Sequence, residues 1–223
     1  MTAPIHVPVS ISASARPLTV AFINPVNLFD EGNGAAQSMR TMLEQLGKRG
    51  AICHALTACC FDVPPGDLLS AQLNARGLLP SGKLPGFDIP VWQGVVAGVS
   101  YNVLQFRTQL RDQMTAAEEL VFRDVARTWL ETNRPDVVIT FGGLLLDLEL
   151  QRCAKAAGAA LVFYLANPHY GRRETFLQAD LIVTNSVATA EHYAQAMGLQ
   201  CHNVGLFVDI EAVRAEKRMP QNW

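Results

Sequence analysis

From Pro135 onward the chain repeats one unit: a short apolar run, a turn rich in glycine or asparagine, and a helical pattern closed by glycine. "PDVVITFGG" leads into "LLLDLELQRCAKAAG", "AALVFYLA" into the short helical stretch "GRRETFLQA", and "DLIVTN" into "SVATAEHYAQAMG", before a last strand "CHNVGLFV". Strands that alternate with helices cannot pair as hairpins. They demand right-handed crossovers and a parallel sheet covered on both faces. The first half opens the same way, with "LTVAFIN" (18–24) lacking polar alternation, as a strand buried on both faces does. A helix is expected from Gly34 to Lys48, where Met39, Met42, Leu43 and Leu46 fall at helical spacing and Gly50 stands at the C-terminal cap; a second strand follows, "AICHALTA" (51–58). The expected fold is therefore α/β: a Rossmann-like, open, doubly wound parallel sheet.

Two stretches depart from this rhythm. Between Phe61 and Ser100 periodicity fades and prolines and glycines cluster, so the segment is either a ligand-facing excursion or a short hairpin with ordinary connections. From Asn102 to Asn133 the spacing predicts one long helix, with Val103, Phe106, Leu110, Met114, Ala117, Val121, Val125 and Trp129 on its apolar stripe. Residues 1–17, rich in Ser, Ala and Pro, read as a disordered leader.

Composition narrows the function classes. With 49% hydrophobic and 17% charged residues, the 223-residue chain has the material for a sizeable core. A formal net charge of -2 gives no basic field to hold a polyanion, which argues against nucleic acid as a partner. The five cysteines (Cys53, Cys59, Cys60, Cys153, Cys201) include no CxxC pair, which fits a reducing, cytoplasmic setting. No run is apolar for the length of a membrane span, and the N-terminus lacks the basic and apolar pattern of a secretory signal.

An open parallel sheet binds ligands outside the carboxyl ends of its strands. The loops leaving those ends are "NPVNLFDEGNG", "TFGG", "ANPHYGRR" and "TNS". In the first, Gly32, Asn33 and Gly34 precede a helix whose free N–H groups and positive dipole end suit a diphosphate. Gly32 and Gly34 make only GxG, without the third glycine of the dinucleotide fingerprint, so a dehydrogenase is a weak reading and simple turn formation stays open. Gly142 and Gly143 present the same choice between backbone access and turning. Asn167 and His169 stand in the third loop, where Arg172 and Arg173 suit a phosphate or carboxylate. Ser186 is placed either at the rim or as the cap of the following helix. Ser/His/Asp arrangements, metal-spaced histidines and a Walker GK[ST] motif are missing from the sequence, and the first strand ends "INPVN" rather than in the acidic residues of a receiver domain.

Three segments in succession, the glycine loop leading to "SMRTMLEQLGKRGAICHALTA", then "ADLIVTNSVATAEHYAQAMGL", then "VGLFVDIEAV", resemble the N-terminal half of GT-B glycosyltransferases, specifically the retaining enzymes of family 4. That family has a GG-containing loop, a helix ending "LxxRGHEV", an "ADxVIxxS" strand and serine, a helix ending "LGL", and an "NGVD" crossing to the second domain. The resemblance covers most of 18–213. Here "RGHEV" is "RGAIC", and "NGVD" is "LFVD", which keeps Asp209. The family's histidine at the end of the strand matching "ALVFYLA" falls near Ala166, with His169 about three residues later; His169 is the one candidate for a catalytic role. The resemblance implies residues 18–208 as an acceptor-side domain and 209–223 as the crossing segment, the C-terminal donor-binding domain with its E-x7-E glutamates being absent from this chain. It implies transfer of a sugar from a UDP- or GDP-linked donor to a glycan, lipid-linked or small-molecule acceptor, with no metal and no cofactor beyond the nucleotide sugar, by a chain inactive without its C-terminal domain. A peripheral place at the inner membrane face would fit a lipid-linked acceptor. The contrasting reading is a non-catalytic α/β module that binds a small ligand or a partner protein.

Overall fold

A computed structural model of the chain describes residues 16–205 and 207. The expected leader, apart from its last two residues, and the expected crossing segment 209–223 with Asp209 lie outside the described residues.

The elements in chain order are β1 (Thr19–Ile23), α1 (Gly34–Lys48), β2 (Ile52–Ala58), α2 (Leu69–Ala75), β3 (Leu79–Lys83), β4 (Pro90–Val96), β5 (Val99–Leu104), α3 (Ala116–Asn133), β6 (Val137–Thr140), α4 (Leu145–Ala156), β7 (Ala160–Leu165), β8 (Leu181–Thr184), α5 (Val187–Met197) and β9 (His202–Asn203). They form one sheet in the order β3-β4-β5-β2-β1-β6-β7-β8-β9. From β5 through β9 neighbouring strands are parallel, with registers such as Phe22 opposite Ala55 on one side and Ile139 on the other. The α/β, doubly wound architecture expected from the alternation of strands and helices is the one found.

Alternation within β1 distributes its side chains to two layers. Val20 and Phe22 join the cluster under α1 and α2, with Met39, Leu43, Leu69, Leu73 and Tyr101, while Ala21 and Ile23 join the cluster under α3 and α4, with Phe122, Leu130, Leu146 and Leu150. Each large side chain removed from water in this way contributes about 1.5–3 kcal/mol. A smaller cluster of Phe163, Leu165, Phe176, Ile182 and Tyr193 closes the β7–β8 end.

The segment 61–100 is more regular than its composition indicated. It holds a 3-10 turn (Gly66–Leu68), α2, and the strands β3 and β4, which pair antiparallel with each other and with β5 as the edge of the sheet. All five residues of β3 are exposed, and the edge carries Pro80 and Lys83, residues that discourage further strand pairing. The long helix expected from Asn102 is corrected. Asn102–Leu104 belong to β5, paired residue by residue with Leu56–Ala58 of β2, and the helix begins at Ala116. Its start is fixed by a capping box: Thr115 Oγ1 accepts the Glu118 N–H, and Glu118 Oε2 accepts the Thr115 N–H. Its most buried face is Phe122, Ala126 and Leu130, with Val121, Val125 and Trp129 half-buried beside it.

The shorter expectations differ less. "GRRETFLQA" forms only a 3-10 turn (Arg173–Phe176), and the last strand is the two-residue β9. Cys59 and Cys60 are buried just past β2, and burial pushes both thiols up, which makes them small core residues.

Candidate functional site

Strand order reverses at β1. The chain moves from β1 to β2 on one side and returns to β6 on the other, so the loops leaving β1 and β6 diverge at their carboxyl ends. A cleft of about 550 Å³ occupies that point. It is lined by Val26, Phe141, Ala166 and Tyr164, by Asn33 with Gly34, Ala35 and Ser38 of α1, and by Gly142, Gly143 and Leu144.

Side chains fasten the diverging strands together beneath it. Asn24 Nδ2 donates to the Phe141 carbonyl at 2.8 Å and to Asp147 Oδ1 at 3.3 Å, while Thr140 Oγ1 donates to the Ile23 carbonyl at 2.9 Å. Asp147, at the start of α4, is fully buried: Oδ1 takes Arg111 Nη2 at 3.2 Å and Oδ2 takes the Leu144 N–H at 2.9 Å. Burial raises its carboxyl above the usual carboxylate range, and the Arg111 guanidinium opposes that shift. Arg111 also pairs with Glu119 at 3.2 Å, so one guanidinium joins α3, α4 and the cleft.

The glycine loop is shaped by aspartate. Buried Asp30 accepts the Gly32 N–H on Oδ1 (2.9 Å) and the Asp62 N–H on Oδ2 (2.6 Å). Asn33 caps α1, its Oδ1 accepting the Ala36 N–H at 2.8 Å, and its Nδ2 reaches Asp62 Oδ1 at 3.2 Å. The N–H groups of Gly34 and Ala35 are left without an acceptor among the described residues and line the cleft.

At the second glycine pair, Gly142 has φ +101° and its N–H donates to Tyr170 Oη at 3.2 Å. The Tyr170 ring lies so close over Gly143 that a Cβ there would be 3.1 Å from Cδ1. Tyr170 is held edge-on by Phe163 and Phe176, its N–H donates to Tyr193 Oη at 2.8 Å, and burial pushes its phenol up to about 12. Gly142 and Gly143 thus serve both as a turn and as a close backbone approach.

Of the residues expected from sequence, Asn33, Gly34, Gly142, Gly143 and Asn167 meet in the cleft. Gly32 faces a neighbouring cavity of about 480 Å³, bounded by Phe29, Phe61, Gln72 and Arg76. His169 and Arg172 are exposed and do not line the cleft; the His169 N–H donates to Asn167 Oδ1 at 3.0 Å, and Arg172 precedes the 3-10 turn that Arg173 opens. Ser186 caps α5 through the Thr189 N–H at 3.4 Å, while its neighbour Asn185 lines the cleft. Asn24, Asp62, Arg111, Asp147, Tyr164 and Asn185 were not singled out by sequence. The one signal that bore on them was position, since Asn24 follows β1 and Asn185 follows β8, at the carboxyl rim of the sheet.

No protein-family model and no curated protein matches the chain. Solved structures do. The catalytic domain of starch synthase IV from Arabidopsis thaliana, bound to ADP and acarbose, superposes with a TM-score of 0.54 at 10% identity, covering 86% of this chain and 52% of that one. UDP-GlcNAc 2-epimerase from Methanocaldococcus jannaschii gives 0.52 at 13% identity, covering 85% and 46%. This chain therefore spans about half the length of the structures it matches. At such identities the likeness speaks to fold alone, and the fold that it supports for this chain is the open, Rossmann-like α/β sheet.

Proposed function

We propose that the chain is the acceptor-side, N-terminal domain of a retaining glycosyltransferase, which moves a sugar from a UDP- or GDP-linked donor to a glycan, lipid-linked or small-molecule acceptor. The observation that carries this reading is the cleft at the switch point between β1 and β6, lined by the uncapped N–H groups of Gly34 and Ala35, the Gly142–Gly143 turn, and the amides of Asn167 and Asn185. Fixed dipoles of this kind stabilise developing charge and polar ligand groups with little reorganisation. The structural likeness to a starch synthase bound to ADP and to a UDP-GlcNAc 2-epimerase supports a nucleotide-sugar setting.

In this reading the domain closes over a donor held by a second, C-terminal domain. Gly34 faces the donor, and the acceptor enters along the Asp62 side. His169, exposed beside the cleft, reaches substrate only if its loop closes with the second domain. Work in the cytoplasm, at the inner membrane face where acceptors are lipid-linked, is part of the same proposal; no helix among the described residues is long and apolar enough to cross a membrane.

The test is a transfer assay with a panel of UDP- and GDP-sugars on the product of the whole reading frame beside this chain alone. Turnover by the longer product only is the expected result. A whole-frame product inert with every donor, or a frame that ends with this chain, overturns the transferase and leaves a ligand-binding α/β module.

A further inference from the structure

Tyr164, near the end of β7, is fully buried and is one of the residues that line the cleft, and its Oη has no hydrogen-bond partner among the described residues. A buried hydroxyl left unpaired forfeits the hydrogen bonds it made with water, so a ligand group that meets it recovers that loss on binding. Asp62, which lines the same cleft, is the opposite kind of group: exposed, but held in place. Its N–H is fixed by Asp30 Oδ2 at 2.6 Å and its Oδ1 by Asn33 Nδ2 at 3.2 Å, while Oδ2 has no donor among the described residues.

Charge decides what such a cleft accepts. Arg111 is the one cation among the described lining residues, and it is already paired with Asp147 and Glu119. The positive end of α1 has a carboxylate beside it, since Asp62 bonds the capping residue Asn33. A diphosphate placed there would meet the Asp62 carboxylate with no free cation to offset it. A neutral ring bearing hydroxyls meets the reverse situation: Asp62 accepts from adjacent hydroxyls, Tyr164 donates or accepts, and the amides of Asn167 and Asn185 do both.

We propose that Asp62 and Tyr164 read the hydroxyl groups of a neutral sugar ring in this cleft, and that a diphosphate is not held there. This rests on the nucleotide-sugar reading and narrows it: the chain recognises sugar, and the charge of the leaving diphosphate is met outside this cleft. The ring belongs either to the donor or to the acceptor.

The experiment is an amide chemical-shift titration of this chain with methyl glycosides of common hexoses, with UDP-sugars and with inorganic pyrophosphate. The expected result is that a sugar, free or carried on UDP, moves the amides of Gly34, Ala35 and Asn185, and that pyrophosphate does not. A methyl glycoside that acts as strongly as its UDP form assigns the ring to the acceptor; a response only to the UDP form assigns it to the donor. Asp62→Asn and Tyr164→Phe should each weaken sugar binding about tenfold. Tyr164→Phe should not lower the melting temperature, because no internal hydrogen bond is lost. Pyrophosphate moving Gly34 and Ala35 while sugars move nothing overturns the proposal and leaves the nucleotide-sugar reading intact. Silence with all three ligand classes overturns both, and unchanged affinity in the two variants overturns the roles of Asp62 and Tyr164.

Discussion

Gly142 and Asp147 are packed so tightly that a Cβ on residue 142 would lie 2.3 Å from Asp147 Oδ2. The same residue has φ +101°, in the left-handed region that favours glycine. The contact holds together the wall of the cleft, because Asp147 also carries the bonds to Asn24, Leu144 and Arg111. Gly142→Ala should therefore cost about 2–4 kcal/mol from strain and overpacking combined. A urea titration reads the loss directly. An unchanged midpoint would mean that the β6–α4 turn relaxes freely and that Asp147 is not fixed by it.

Gly34 makes the contrasting case. A Cβ there meets nothing within 4 Å, so the space beyond it is the cleft itself. Gly34→Val should leave stability within about 1 kcal/mol of the parent, since glycine is a poor helix former and no contact is broken. It should sharply reduce ligand binding by this chain and transfer by the whole-frame product. Parallel loss of melting temperature and activity would return Gly34 to a purely structural role.

Arg111 and Asp147 predict a pH-dependent defect. Burial raises the Asp147 carboxyl and Arg111 counters it, so Arg111→Met leaves a buried carboxylate with no guanidinium beside it. Removal of one partner from such a pair costs about 3–5 kcal/mol. With its folded-state affinity for protons raised, the carboxyl favours the fold most when protonated, and that advantage fades as pH rises. The deficit of the variant should accordingly be large near about pH 7 and shrink toward about pH 4.5. Urea midpoints of parent and variant at the two pH values check this, and a gap that stayed constant would argue against an ionised Asp147.

Asp136 and Asp180 perform one task twice. Each precedes a strand and accepts the N–H that begins, or stands near the start of, the neighbouring strand: Asp136 Oδ2 takes Thr19 at 2.8 Å and Asp180 Oδ2 takes Leu161 at 2.7 Å. The Leu161 N–H, aided by Lys155, holds the Asp180 carboxyl below the usual carboxylate range. A depressed folded-state value gives stability that is present above the unfolded value and lost as pH falls. Asp180→Ala should cost about 0.5–1 kcal/mol at neutral pH, modest because the group is half exposed, and less in acid. Thermal melts across that range test the sign.

Sequence alone determined the elements whose information is local. Helical apolar spacing and Gly50 beyond Lys48 were enough to bound α1, and strands without polar alternation were enough for the parallel, two-faced run from β2 to β9, because caps and periodicity act within one turn or one strand. The rim that carries the cleft followed as well, since topology places it. Tertiary structure decided the rest. Val103 and Phe106 sit at helical spacing with the residues that follow, yet pairing with β2 makes Asn102–Leu104 a strand, as long-range hydrogen bonds outweigh a local pattern. The chemistry of the cleft was equally out of reach: Asn24 and Asp147 are 123 positions apart, and Arg111 reaches Asp147 across 36. Only the folded sheet brings them within hydrogen-bond distance, buries Tyr164 and leaves its hydroxyl without a partner among the described residues, because burial and partnership are properties of the packed chain and not of any stretch of it.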